Sequence, residues 1–191
     1  MSSQSTPIVY KAAENDQELR QILALQQINL PKNISQEESK DQGFVTVEHN
    51  FPLLSSMNQS APQIIASAEG KVVGYALVML ESFSTKIPVL IPMFKMLSTL
   101  SYQGKSFEEY RFYVMGQVCV DKGYRGRGLF DGMYQEQRRQ LSGEYDFVVT
   151  EVATRNTRSM RAHERVGFET IHIYTDADHG EEWAIILWNW Q

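Results

Sequence analysis

Residues 118–130, Val-Cys-Val-Asp-Lys-Gly-Tyr-Arg-Gly-Arg-Gly-Leu-Phe, run from the end of an apolar strand through a basic, glycine-spaced turn into an amphipathic helix. Such a turn suits a phosphate. Gly126 and Gly128 carry no side chain to hold an anion away from the backbone, so successive amide N–H groups at the helix start can converge on one diphosphate. Arg125 and Arg127 add positive charge. The field of a helix end contributes about 0.3–1 kcal/mol per favourable charge, so hydrogen-bond donors and arginines must supply most of the affinity.

The organisation around this turn predicts an α/β fold. Ile8–Ala12 reads as a first strand and Asp16–Ile28 as a helix, capped by Asn15 or Asp16, whose inner face carries Leu19, Ile22, Leu23 and Gln26. Pro31 closes that helix. A polar stretch to Gly43 leads into Phe44–Val47, a short candidate strand, and Phe51–Met57 reads as a second helix. Ile64–Ala68 and Val72–Leu80 form a hairpin about Glu69-Gly70-Lys71. Residues 81–110, interrupted by Pro88 and Pro92, form a flap or insert with about two helical turns over Phe94–Leu100. It either covers an acceptor pocket or packs on another subunit. Beyond it the pattern predicts strand Arg111–Val120, helix Leu129–Leu141, strand Phe147–Ala153, helix Ser159–Val166, and a closing hairpin of Glu169–Thr175 with Trp183–Trp190. The turn of that hairpin is Asp176–Glu181. Trp188 and Trp190, alternating on the last strand, fit either a core or a homodimer contact.

The 191 residues suit a single domain over 8–191, preceded by a flexible tip at 1–7. That tip lacks the basic start and apolar run of a signal peptide, and Ile87–Leu100 is too short and broken to span a membrane. One cysteine and four histidines without ligand spacing argue for no metal site and no internal disulfide. A cytoplasmic location is the simplest expectation. The formal charge of −5 argues against a nucleic-acid partner. Residues 122–165 hold nine Lys/Arg against six Asp/Glu, a local +3 that leaves −8 elsewhere, so positive charge gathers around the glycine turn.

A second element strengthens the reading. After the strand Phe147–Ala153 comes Thr154-Arg155-Asn156-Thr157-Arg158-Ser159-Met160-Arg161-Ala162-His163-Glu164-Arg165-Val166-Gly167-Phe168. The pair of motifs, within residues 113–168, resembles the GNAT N-acetyltransferases. Their diphosphate loop is Q/R-x-x-G-x-G/A, and their later signature is similar to N-x-x-A/S-x-x-x-Y-x-x-x-G-F. Arg125 and Gly128 match the first, and Asn156, Ser159, Gly167 and Phe168 the second. Phe130 stands where the loop has a small residue, and its ring is expected to pack away from the diphosphate. His163 replaces the tyrosine.

The resemblance implies a GNAT-like acyl-CoA N-acyltransferase fold: a mixed, mostly antiparallel sheet flanked by helices, with splayed parallel strands holding the cofactor. It implies acetyl-CoA as cofactor, and direct transfer of acetyl to a primary amine of a small molecule or peptide. Val118, Cys119 and Val120 would bind the pantetheine arm through their backbone, while Arg125, Gly126, Arg127, Gly128, Leu129 and Phe130 would bind the diphosphate. Asn156 and Ser159 would also contact the cofactor. His163 lies one turn beyond Ser159 and has three open roles: acid for the departing thiolate, cofactor contact, or packing. Glu151 is the best-placed carboxylate for a base, with Tyr113 or water behind it and an ion pair to Arg155 as the competing role. A covalent route through Cys119 is disfavoured, because a mid-strand cysteine is usually a buried apolar residue. The different-class alternative is a non-catalytic acyl-CoA-binding or sensing module.

Overall fold

The computed structural model describes residues 6–30, 33, 47–176 and 180–191, which fall into two compact units: Met1–Val78 with Gln117–Gln137, and Met79–Gly116 with Arg138–Gln191. The predicted strand at Phe44–Val47 lies outside the described residues except for Val47. So do most of the N-terminal tip, the closure at Pro31 and the centre of the last hairpin turn.

In the first unit β1 (Val9–Ala12) pairs antiparallel with β2 (Ile64–Ala68), and β2 with β3 (Lys71–Met79). The next strand in order is β6 (Phe112–Val120), which enters this unit at Gln117. The β2–β3 turn places Glu69 and Gly70 at φ 51° and 77°, the left-handed pair of a tight hairpin. Helix α1 (Asp16–Ile28) starts where the Asn15 side chain accepts the Glu18 N–H, and α2 (Phe51–Ser60) where Asn50 accepts that of Leu53. Their inner faces, Ile22, Leu25, Leu54 and Met57, are buried with Ile64, Ile65 and Tyr75. Each such large side chain contributes about 1.5–3 kcal/mol of burial free energy. Gln26 shares the buried face of α1.

In the second unit β6 begins at Phe112 and pairs in parallel with β7 (Phe147–Ala153) over three residues, Phe112–Val114 against Phe147–Val149. β7 pairs antiparallel with β9 (Glu182–Asn189), and β9 with β8 (Glu169–Thr175), giving the order β6-β7-β9-β8. Residues 81–110 are ordered: 3-10 turns at Glu81–Lys86 and Pro88–Leu90, helix α3 (Ile91–Leu97), and a two-residue hairpin of β4 (Ser101–Tyr102) with β5 (Lys105–Ser106). The α3 helix starts three residues earlier than the sequence pattern suggests, because Pro92 sits in its first turn, where a missing N–H does no harm. Phe83, Ile87, Met93, Phe94, Leu97 and Phe107 are buried, so the segment supplies core to its own unit. Trp188 is buried too, against Phe168 and Trp190 with the Arg138 guanidinium over its ring, which makes it a core residue.

Helix α4 (Leu129–Leu141) follows the glycine turn, and α5 (Thr157–Val166) follows β7. The ends of α5 explain much of the second motif. Asn156 accepts the Ser159 N–H at its start, and Gly167, at φ 125°, ends it by donating to the His163 and Glu164 carbonyls. A Cβ on Gly167 would stand 2.6 Å from Trp188 Nε1. Phe168 then meets the His163 ring edge-on at 5.0 Å. The Asn, Gly and Phe of the motif are an N-cap, a C-cap and the contact that follows it.

Candidate active site

Strand β6 ends at Val120, and the Asp121 side chain accepts the Gly123 N–H to open a short 3-10 turn over Lys122–Tyr124. Gly126 and Gly128 then stand at φ 73° and 77° on either side of Arg127. Left-handed residues of this kind are a component of backbone anion nests. Gly128 opens α4, its carbonyl accepting the Gly132 N–H at 2.9 Å. All three residues from Gly126 to Gly128 are exposed, and nothing lies within 4 Å of where a Cβ on either glycine would stand. The glycines are therefore required by backbone conformation, and the space before them is open.

The two arginines divide their tasks. Arg125 turns back along the strand, donating from Nε to the Val120 carbonyl at 3.3 Å and from Nη2 to Asn29 Oδ1 at 3.1 Å. Asn29 caps α1 and donates to the Leu25 carbonyl, so Arg125 ties the loop to the end of α1. Arg127 lies over the Tyr124 ring, 5.0 Å from its centre, and is exposed. Arg127 is the more exposed of the two. The motif assigns an anion to both arginines, and no local spacing marks Asn29. The ring of Phe130 packs on that of Tyr134 at 4.9 Å, one turn along α4, while Leu129 is buried.

Upstream, β6 alternates: Gln117 and Cys119 are buried, Val118 and Val120 are partly exposed. Burial pushes the Cys119 thiol up to about 11, with Arg125 pulling the other way. Near neutral pH it is a thiol, without the nucleophile a covalent route needs. Gln117 is held in a buried polar cluster with Gln26, Tyr75 and His49. No local signal pointed to His49 or Tyr75.

In the second unit, His163 Nδ1 lies 2.9 Å from the Ser159 carbonyl and 3.3 Å from its Oγ. Burial lowers the imidazole to about 4. Near neutral pH the ring is uncharged, and it packs edge-on against Phe168. Glu151 accepts the Tyr174 hydroxyl at 2.6 Å, whereas Arg155 pairs with Glu181 at 2.7 Å. The expected Glu151–Arg155 ion pair is replaced because Glu181, next to β9, faces the guanidinium. Burial raises the Glu151 carboxyl, with Tyr174 acting in the opposite sense. Glu151 thus has greater proton affinity than an exposed carboxylate. A cavity of about 280 Å³, bordered by Glu81, Phe94, Glu108, Tyr110 and Tyr145, sits at the N-terminal end of β6. Among the described residues there is no metal-ligating cluster and no helix long and apolar enough to cross a membrane.

The mixed sheet with its parallel pair, the exposed turn with two left-handed glycines and the capped helix after β7 fit the acyl-CoA-dependent N-acetyltransferases. The sequence profile of the Acetyltransferase (GNAT) family matches residues 24–168, more than half of the chain, and the protein belongs to that family. The fold is similar to that of the ribosomal-protein-S18-alanine N-acetyltransferase from Escherichia coli (14% identity, 96% of this chain and 94% of that one, TM-score 0.59). It is also similar to a GNAT acetyltransferase from Streptococcus pneumoniae (15%, 95% and 98%, 0.60). A Salmonella typhimurium protein solved with its cofactor acetyl-CoA is a third (15%, 97% and 95%, 0.59). No curated protein sequence matches the chain.

Proposed function

We propose that the protein transfers acetyl from acetyl-CoA directly to a primary amine of a small molecule or peptide. The observation that carries this reading is the open nest at Gly126–Gly128, with Arg127 exposed beside it. The nest fits a diphosphate: its N–H groups, those of Leu129 and Phe130 at the start of α4, and the Arg127 charge supply donors of the right sign. The backbone of Val118–Val120 would carry the pantetheine arm as an added strand. Acetyl-CoA supplies the thioester.

Within the second unit, Asn156 and Ser159 would serve the cofactor by setting the first turn of α5, and His163 by bracing that turn as a neutral ring. Glu151 is the proposed proton acceptor for the amine, because its raised proton affinity suits a base and Tyr174 fixes its orientation. The test is release of free thiol from acetyl-CoA across a panel of primary amines, with longer acyl-CoAs in parallel. Acceptor-dependent release that favours acetyl supports the reading. Tight acyl-CoA binding with no acceptor-dependent release across the panel would overturn it in favour of a binding or sensing module.

A further inference from the structure

The buried cluster beneath β6 fixes a proton. Gln117 Nε2 lies 2.9 Å from the Val47 carbonyl, which can only accept, so the amide nitrogen of Gln117 faces Val47 and its Oε1 faces the other way. That oxygen accepts the Tyr75 hydroxyl at 2.6 Å and Gln26 Nε2 at 2.8 Å. Gln26 is oriented independently, because its Oε1 accepts the His49 backbone N–H at 2.8 Å. Its Nε2 therefore donates its second hydrogen to His49 Nδ1, 2.9 Å away. A ring nitrogen that accepts carries no proton. Burial lowers His49 to about 4, so the neutral ring holds its one proton on Nε2. That atom is buried and has no hydrogen-bond partner.

Gln26, Tyr75, His49 and Gln117 are 0%, 0%, 3% and 8% exposed. Apart from His49 Nε2, every side-chain polar atom named in the cluster is matched. Leaving one buried donor unmet is costly, and such an atom in an otherwise satisfied network points to a ligand. Gln117 immediately precedes Val118–Val120, the stretch proposed to carry the acyl-CoA arm.

The geometry points to His49 Nε2–H as the hydrogen-bond donor for a carbonyl or carboxylate oxygen of a bound substrate. An N–H donor recognises an oxygen, so this residue would select amines that carry a carbonyl or carboxylate, as amino acids and peptide N-termini do, over bare alkylamines. The thioester oxygen offers the same chemistry, and the test separates the two. The inference rests on the acetyltransferase reading for its substrate but not for its first observable, the tautomer.

The experiment is long-range 1H–15N spectroscopy of protein labelled at histidine, with His49→Phe to assign the signal. In the unliganded protein the His49 proton is expected on Nε2 between pH 6 and 8; a proton on Nδ1 overturns the inference. Glycine, glycinamide, ethylamine, CoA and acetyl-CoA are then added separately. A shift of Nε2 with glycine or glycinamide but not ethylamine places the oxygen on the acceptor, and a shift with acetyl-CoA but not CoA places it on the thioester. No response to any oxygen-bearing probe also overturns it. In thiol-release assays His49→Phe should raise KM for glycinamide at least 10-fold with ethylamine unchanged, or lower kcat for both equally if the oxygen is the thioester's. Retained acetyl-CoA binding by the variant shows that it folds. Absence of thiol release in the wild type would count against the acetyltransferase reading while leaving the spectroscopic result to stand separately.

Discussion

Gly128→Ala and Gly70→Ala form a matched pair. Both glycines stand at φ 77°, and a Cβ on either would meet nothing within 4 Å. The two substitutions therefore share one cost, an L-residue held in the left-handed region, of about 1–2 kcal/mol. For a chain of this size that lowers Tm by about 2–4 °C per kcal/mol, hence about 2–8 °C for each variant. Gly70 lies in the β2–β3 turn and Gly128 at the start of α4. Relaxing φ at Gly128 turns an N–H away from the proposed diphosphate site, and losing one charge-assisted hydrogen bond of about 1.5–3 kcal/mol weakens CoA binding about 10- to 150-fold. Gly70→Ala should leave CoA affinity unchanged. Thermal unfolding and calorimetric titration of CoA, run on both variants and the wild type, read the two quantities separately. Matched falls in Tm with equal CoA affinities would refute the nest as the diphosphate site.

Gly167→Ala adds a steric clash with Trp188 Nε1 at 2.6 Å to a φ of 125°, so it should destabilise by about 2–4 kcal/mol in urea unfolding, more than either loop variant. For the two buried histidines the folded values of about 4 lie below the unfolded value of about 6.5. Between these pH values the unfolded chain binds more protons, so stability is full above pH about 6.5 and falls toward pH 4 by up to about 1.4 kcal/mol per pH unit for each ring. Urea unfolding at several pH values should show a shallower fall in His163→Phe than in the wild type, and identical slopes would contradict the assignment. Tyr174→Phe removes the hydroxyl that holds Glu151 down. The acid limb of its pH–rate profile should move to higher pH, and an unmoved limb would exclude Glu151 as the base.

What the sequence made legible was local. Strand β7, helices α1 and α4, and strand β8 coincide with their expected spans because apolar periodicity and capping residues such as Asn15 act over a few positions. The glycine turn was visible for the same reason, although its physical basis proved to be two left-handed φ angles as well as missing side chains. Side-chain partners set by tertiary packing were not legible. Arg125 reaches Asn29 across 96 positions and Gln26 reaches Gln117 across 91, and no spacing rule links such pairs. Gln26 appeared on the inner face of α1 as one polar residue among leucines, with nothing to say that it would orient a histidine. Glu151 and Arg155, four positions apart, looked like partners. Glu181 and Tyr174, brought in by the returning hairpin, took both.

The proposed function requires a diphosphate to rest on the backbone between Gly126 and Phe130. A crystal structure of the protein grown with CoA tests it most directly. Phosphate oxygens are expected within hydrogen-bonding distance of the N–H groups of that turn, about 2.7–3.2 Å, with the Arg127 guanidinium beside them and Arg125 still bonded to Asn29. A diphosphate bound elsewhere, with those N–H groups facing only solvent, would contradict it.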